Sequence, residues 1–189
     1  MQFPPKNILD SGCGEGYYTN YLAKQLPTVQ FYGTDISKEA IRLAAKAKTD
    51  VQYIVASNQH LPFINNSLDM VLNIFSPIAY NEYHRVLKQN GILITVSNTS
   101  KHLQELKEIL YDQVHLEHSS AKNTSQLLLV EEHNLSFPIH LQNQEMIQLL
   151  FQMTPYYYRT SFTDKAKLTA YQSLDVTTEF SIKLYKKSE

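Results

Sequence analysis

The sequence predicts an α/β fold: a mostly parallel sheet with helices on both faces and an antiparallel finish. Three observations predict it. Short apolar runs alternate with amphipathic stretches as far as Val96, the pattern of strands joined by crossover helices. The first apolar run ends in ILDSGCGEG, where three of the chain's five glycines fall within five residues. The second half carries two late runs with the two-residue period of strands.

In chain order, Lys6 to Asp10 reads as a strand ending at the glycines, and Tyr17 to Leu26 as a helix closed by Pro27. Gln30 to Thr34 is a second strand. Ser37 is placed as an N-cap, with Glu39 complementing the helix dipole and an Ala/Ile/Leu face running to about Lys48. Val51 to Val55 and Leu68 to Ile74 are strands three and four, and Ala79 to Leu87 is a helix. Asn90-Gly91 supplies a left-handed exit before a fifth strand, Ile92 to Val96. Leu103, Leu106, Leu110 and Val114 have helical spacing, which predicts a covering helix from Lys101 to about Leu116. Leu135 to Leu141 alternates like a strand, with Pro138 suggesting an edge. Gln144 to Gln152 is a short helix, and Val176 to Leu184 alternates again. Seven strands result, the last antiparallel.

A turn with three glycines lets backbone approach a ligand with no side chain between them. The dinucleotide fingerprint puts its third glycine five positions after the first; Tyr17 occupies that position here. Gly12, Gly14 and Gly16 instead form G-x-G-x-G, and Asp10 ends the strand before them. Asp35 closes the second strand in FYGTDIS, where a carboxylate can accept both hydroxyls of a ribose. The same carboxylate suits a nicotinamide cofactor, and a second helix cap beside Ser37 is its purely structural alternative.

Composition narrows the class. With 189 residues the chain suits one domain, residues 1–189, with 1–100 as the cofactor-binding half and 101–189 completing the sheet and the acceptor side. No run approaches the ~20 apolar residues of a membrane span, and MQFPPKNILD lacks a secretory h-region, so a cytoplasmic location without membrane attachment is expected. The single cysteine, Cys13, excludes an internal disulfide and a cysteine-based zinc site within this chain. Seventeen Lys and Arg against eighteen Asp and Glu provide no basic excess for a self-sufficient nucleic-acid binder. Lys38, Arg42, Lys46 and Lys48 cluster on one helix, a pattern that a solvated outer face explains.

The acid followed by G-x-G-x-G resembles the first motif of the class I S-adenosylmethionine-dependent methyltransferases, which have a Rossmann-like fold. VASNQHLPF (55–63), SLDMVLNIF (67–75) and EYHRVLKQNGILI (82–94) resemble later segments of that family in matching order. More narrowly, GCGEGYYT (12–19), LKEILYDQVHLEH (106–118) and LLFQMTPYYYR (149–159) resemble the bacterial 23S rRNA guanine-N1 methyltransferases of the RlmA type. The resemblance covers nearly the whole chain. It implies S-adenosyl-L-methionine as cofactor, ribosomal RNA as partner, and N1 of a guanine as the methyl acceptor. Asp10, Gly12, Gly14, Gly16, Tyr18, Thr19, Asp35, Ile36, Ser57, Asn58, Asn73 and His102 would then contact the cofactor, with Ser57 and Asn58 bordering the adenine.

Two departures stand beside it. Ser57 replaces an Asp that many relatives use for the adenine amino group. The cysteine-and-histidine zinc module that opens members of this family is not in this sequence, which is expected of an excised catalytic domain or a truncated relative. No metal is required by the chemistry itself; His115 and His118 have metal-compatible helical spacing but no accompanying carboxylate.

Methyl transfer is an in-line displacement that depends on holding donor and acceptor close and collinear. Phe75, Ser76 and Pro77, at the exit of strand four, are the candidates for holding a flat acceptor: Phe75 by stacking, Ser76 by its hydroxyl. Tyr156, Tyr157 and Tyr158 offer a second aromatic platform. Glu82, His84 and His102 are open as the general base. A small-molecule methyltransferase, a cofactor-binding domain without turnover, and a dehydrogenase are the competing readings, and homodimerisation is left open.

Overall fold

Alternation within single strands decides the layering. The computed structural model describes residues 4–111 and 127–188. In β1 (Asn7–Ser11), Ile8 and Leu9 point to opposite faces and both are buried. Ile8 joins Phe31, Leu72, Leu22 and Ala23 on one face. Leu9 joins Val71, Leu93, Tyr83 and Val86 on the other. A strand covered on both faces reads as an uninterrupted apolar run, as NIL does. The covers are α1 (Tyr17–Gln25) on the Ile8 face and α3 (Tyr80–Val86) on the Leu9 face, with α2 (Lys38–Ala44) between them in sequence. Leu9→Ala is expected to cost about 2–5 kcal/mol, read as a lower denaturant midpoint at unchanged slope.

Two compact units divide the chain, one of Met1–Ser97, Ala121–His133 and Ser181–Glu189, the other of Asn98–Ser120 and Asn134–Phe180. In the first, β1 lies between β2 (Gln30–Asp35) and β4 (Leu68–Ile74), both parallel to it. β3 (Gln52–Val55) pairs parallel with β2, and β5 (Leu87–Asn98) with β4. With β6 (Leu127–Leu141) and β7 (Leu174–Lys187), the order is β3-β2-β1-β4-β5-β7-β6, with the last strands antiparallel. Strand order reverses between β1 and β4, the switch point where open α/β sheets leave a crevice beyond the carboxyl ends of their strands.

The fifth strand differs from its sequence reading. Leu87 already pairs with Leu68, and the next partners are Met70 and Ile92, so the intervening residues bulge out of the ladder. Asn90 does adopt the left-handed conformation (φ 62°). It serves a bulge within the strand, because α3 hands over to β5 directly at Leu87.

The second unit has its own core. Leu103, Leu106 and Leu110 of the predicted helix are buried with Leu141, Val176 and Leu168, and with Ile147 and Phe151 of α5 (Gln144–Gln152). The described part of that helix is α4 (Gln104–Leu110); Val114, His115 and His118 lie outside the described residues. Two short helices, α6 (Tyr156–Arg159) and α7 (Phe162–Lys167), were not predicted. Tyr156 and Tyr157 pack against this core rather than forming a free platform, and only Tyr158 stands out into solvent. No helix among the described residues is long and apolar enough to cross a membrane.

Candidate active site

The glycine loop leaves β1 and turns immediately back over β2. The N–H groups of Gly12 and Cys13 both donate to the Thr34 carbonyl, at 2.7 and 2.9 Å, and Gly16 N–H closes a turn onto Cys13 O at 2.9 Å. Gly12, Gly14 and Gly16 all have positive φ (82°, 54° and 74°). At Gly12 the demand is doubled, since a Cβ would also collide with the Ser76 side chain. At Gly14 a Cβ would meet only open space, so the loop presents bare backbone there.

Two carboxylates organise this loop. Asp35, at the end of β2, accepts the Gly14 N–H at 2.9 Å through Oδ2 and the Ser37 N–H at 2.8 Å through Oδ1. The capping role beside Ser37 is therefore present, and each oxygen retains a second lone pair. Ser37 in turn caps α2 by accepting from Ala40 N–H. Asp10 is buried at the end of β1; its Oδ2 accepts the Thr19 hydroxyl at 2.6 Å, and its Oδ1 has no partner among the described residues. Thr19, fully buried, thus supports Asp10 instead of presenting its hydroxyl outward. Burial also pushes the Cys13 thiol up to about 12, with the Asp10 and Asp35 charges adding to it, so no thiolate forms at neutral pH.

Burial pushes the Asp10 carboxyl up to about 6; the Thr19 hydrogen bond opposes this and the Asp35 charge adds to it. A native pKa above the ordinary 3.8 stabilises the fold fully below that value, and the contribution is lost as pH rises through 6. Asp10→Asn, neutral at every pH, is expected to remove this slope and to exceed the wild type in stability by up to about 3 kcal/mol at pH 7. Urea midpoints of both proteins at pH 4 and pH 7 check the sign. Cofactor affinity should fall in the same variant, a trade of function for stability.

A second polar cluster sits where β1 and β4 end. Ser11 Oγ donates to Asn58 Oδ1 at 2.9 Å, and Asn58 Nδ2 donates to Ser76 Oγ at 2.9 Å and to Pro77 O at 3.1 Å. Asn73 Nδ2 reaches Ser11 O at 3.2 Å and the Tyr83 hydroxyl at 2.8 Å. Asn58 is thereby tied to the 75–77 loop through both amide hydrogens, while its Oδ1, which accepts from Ser11, keeps a second lone pair. Ser57 is occupied locally, accepting from Gln59 N–H. Phe75 is half-exposed with φ 53°, a left-handed conformation costing a non-glycine residue about 1–2 kcal/mol. Its N–H is held by Val96 O, and its ring lies 6.4 Å from that of Tyr18. Ile36, 76% exposed, follows Asp35 directly.

The three candidate bases differ in what they are already doing. Glu82 accepts the Leu61 N–H at 2.7 Å and pairs with Arg85, which holds its carboxyl below the usual range. Arg85 also donates to the carbonyls of Leu61 and Phe63 and to Asn65, so this pair is a clamp on the 61–65 loop. His102 belongs to the second unit; its Nδ1 accepts the Glu179 N–H at 3.2 Å, and its ring lies 4.9 Å from Phe180. Burial, and then the Lys107 charge, keep it neutral. Tyr83 and Ser11 were missed in the sequence, because nothing local distinguishes them from an ordinary core tyrosine and a strand-end serine. A cavity of about 400 Å³ between Lys24, Gln30, Lys48 and Asp50 opens at the amino end of β2, the wrong end of a parallel sheet for this chemistry.

Comparison with known proteins gives this geometry a context. Residues 9–95 match a family described as a methyltransferase domain. A Bacillus subtilis protein provisionally named 23S rRNA (guanine-N(1)-)-methyltransferase, YxjB, is 35% identical over 187 residues, covering 93% of this chain and 64% of that protein. The human mitochondrial arginine-hydroxylase NDUFAF5 is 31% identical over 114 residues, 54% of this chain and 32% of its own length. The chain thus spans less than two thirds of either relative. A SAM-dependent methyltransferase structure from Methanosarcina mazei superposes with a TM-score of 0.64 at 16% identity, covering 100% of this chain and 94% of that one, and shares the fold.

Proposed function

From the class I S-adenosylmethionine-dependent methyltransferase fold that this chain carries, we propose that it transfers a methyl group from S-adenosyl-L-methionine to N1 of a guanine in large-subunit ribosomal RNA. The observation that carries the reading is the similarity to the Bacillus subtilis protein, 35% identical along 93% of this chain. The cofactor is S-adenosyl-L-methionine, and the residues present fit it. Gly14 leaves bare backbone, Asp10 Oδ1 is an unpaired acceptor, and Asp35 keeps lone pairs for a ribose. When bound, the cofactor supplies an electrophilic methyl group.

The chain's own residues then have separable tasks. Asp35 would hold the ribose hydroxyls, with Ile36 offering an apolar face to the adenine beside Ser57. Gly12 to Gly16 would pass beneath the methionine portion, backed by Asp10 and Thr19, and Tyr18 would wall it toward Phe75. His102 is a further cofactor contact that only the resemblance to the RlmA type implies. Phe75 would stack on the acceptor base, Ser76 and Pro77 bounding its edge. Guanine N1 carries a proton at neutral pH, which must leave as the bond forms. Glu82 is spent on Arg85 and Leu61, and His102 spends its basic nitrogen on Glu179. Water or His84, which is kept neutral by burial and the Lys187 charge, remains to take it.

Incubation with labelled cofactor and unmodified large-subunit RNA, followed by mass-spectrometric mapping, tests the assignment: methyl at guanine N1 supports it, and label at any other atom rejects it. A formal net charge of −1 favours a second reading, methylation of a small molecule, which label on metabolites but never on RNA would establish. Calorimetric binding of NAD in place of S-adenosyl-L-methionine would reject both.

A further inference from the structure

The stretch LLFQMTPYYYR (149–159) ends in a part of the second unit that methyl transfer leaves unused. Its rings lead outward from the core as an edge-to-face ladder. Phe151 is fully buried, Tyr157 stands 5.4 Å from it, and Tyr158 stands 5.3 Å from Tyr157 at an interplanar angle of 87°. Tyr158 is 86% exposed and Phe162, four residues on, is 87% exposed. Rings this open add almost nothing to the fold through burial. The backbone that carries them is nevertheless pinned. Buried Thr160 donates its hydroxyl to Tyr156 O at 2.8 Å and receives that of Tyr111 at 2.6 Å, while Ser161 caps α7 by accepting the Asp164 N–H at 3.1 Å. Charge gathers at the same place. From Met153 to Tyr171 the chain carries three cations, Arg159, Lys165 and Lys167, and one acid, Asp164, which pairs with Lys167 at 2.9 Å. Lys165 instead lies over the Tyr157 ring, 4.2 Å from its centroid, and neither it nor Arg159 has an acidic partner among the described residues.

We propose that Tyr158 and Phe162, flanked by Arg159 and Lys165, form a docking surface for single-stranded RNA. The proposal deepens the ribosomal RNA reading and rests on it. An exposed aromatic ring offers a face on which any base stacks, and unpaired cations beside it take the phosphates that join successive bases. A duplex hides its base faces in the stack, so a surface that offers ring faces favours unpaired nucleotides over paired ones. The two free cations favour a polyanion over an uncharged protein surface. Because Thr160 and Ser161 hold the segment before any partner arrives, little ordering is left to be done on binding. A surface of this kind also suits a chain whose formal net charge is −1: it depends on stacking more than on charge, so its salt dependence is shallow. Two phosphates on a single strand correspond to a slope of about −1.4 in log K against log salt, at roughly −0.7 for each.

The full chain is titrated against a short fluorescein-labelled single-stranded RNA, the same sequence as a duplex, and phosphatidylcholine–phosphatidylglycerol vesicles, with anisotropy and co-sedimentation as readouts. Preference for the single strand with the shallow slope is expected. Tyr158→Ala and Phe162→Ala should each weaken that binding roughly tenfold with the slope unchanged, the thermal midpoint and cofactor Kd staying in place. Arg159→Gln should weaken it roughly fivefold at about 0.1 M salt and flatten the slope by about 0.7. Tyr158→Trp, in a chain with no other tryptophan, should keep the affinity and lose emission as a base stacks on the indole. Unchanged affinity in both alanine variants, unquenched emission, or preference for the duplex or the vesicles overturns the proposal. So does sedimentation as a dimer that Tyr158→Ala dissolves, which gives the rings to a second copy. Should the wild type bind the strand in this way and methylate no large-subunit RNA, the acceptor assignment falls and the surface stands. Methylation of that RNA at undiminished kcat/KM by the protein carrying both Tyr158→Ala and Phe162→Ala removes the surface and leaves the assignment.

Discussion

Gly12→Val is expected to weaken S-adenosyl-L-methionine binding by more than about a hundredfold while leaving the fold intact. Two costs add. A left-handed φ of 82° disfavours any residue with a Cβ by about 1–2 kcal/mol, and a β-branched one by more. The new side chain would also run into Ser76, whose hydroxyl is held by Asn58 and cannot simply swing away. Overpacking of this kind costs about 1–3 kcal/mol. Together these correspond to some two to three orders of magnitude in affinity if the loop yields by moving. Calorimetry with the cofactor, beside a thermal melt that stays cooperative with its midpoint lowered by several degrees, measures it; an affinity within tenfold of wild type would show that Ser76 moves aside without consequence.

Asp35→Ala is expected to raise the cofactor Kd by roughly two orders of magnitude. The carboxylate has two tasks that are lost together. It receives the Gly14 and Ser37 N–H groups, charge-assisted bonds of about 1.5–3 kcal/mol each, and so shapes the loop and the start of α2. It also would accept the ribose hydroxyls with its remaining lone pairs. Asp35→Asn separates the tasks, since its single oxygen can accept one N–H but its amide NH2, itself a donor, repels the other; a loss intermediate between wild type and alanine is expected. Equal affinities in all three proteins would reject the ribose role and leave Asp35 as a helix cap.

How far these features were legible in the sequence depended on how locally they are determined. The ILDSGCGEG loop dictates its own shape: an apolar strand buried on both faces, then glycines that alone tolerate the backbone angles. Asp35 was legible for the same reason, as the last residue of a strand whose end the following Ser37 cap announces. Tyr83 and Ser11 were not, because the hydrogen bond that defines them spans 72 residues of chain. Asn58 was placed at the right end of the sheet, yet its partners come from β1 and from the loop after β4, which only the strand order brings together. The Asn90-Gly91 signal was correct about φ and silent about whether that angle would end a helix or bulge a strand. β6 was seen only from Leu135 onward, since LLLVEEHN before it breaks the two-residue alternation and is mostly exposed.

The seven residues of α3 face two ways. Glu82 and Arg85 grip the Leu61–Asn65 stretch, while Tyr83 anchors the end of β4. Anyone redesigning this end of the scaffold would therefore have to transplant helix and stretch as one cassette, because exchanging either alone separates Arg85 from the three acceptors to which it donates. Natural drift faces the same accounting, and the two segments should change in concert along a lineage.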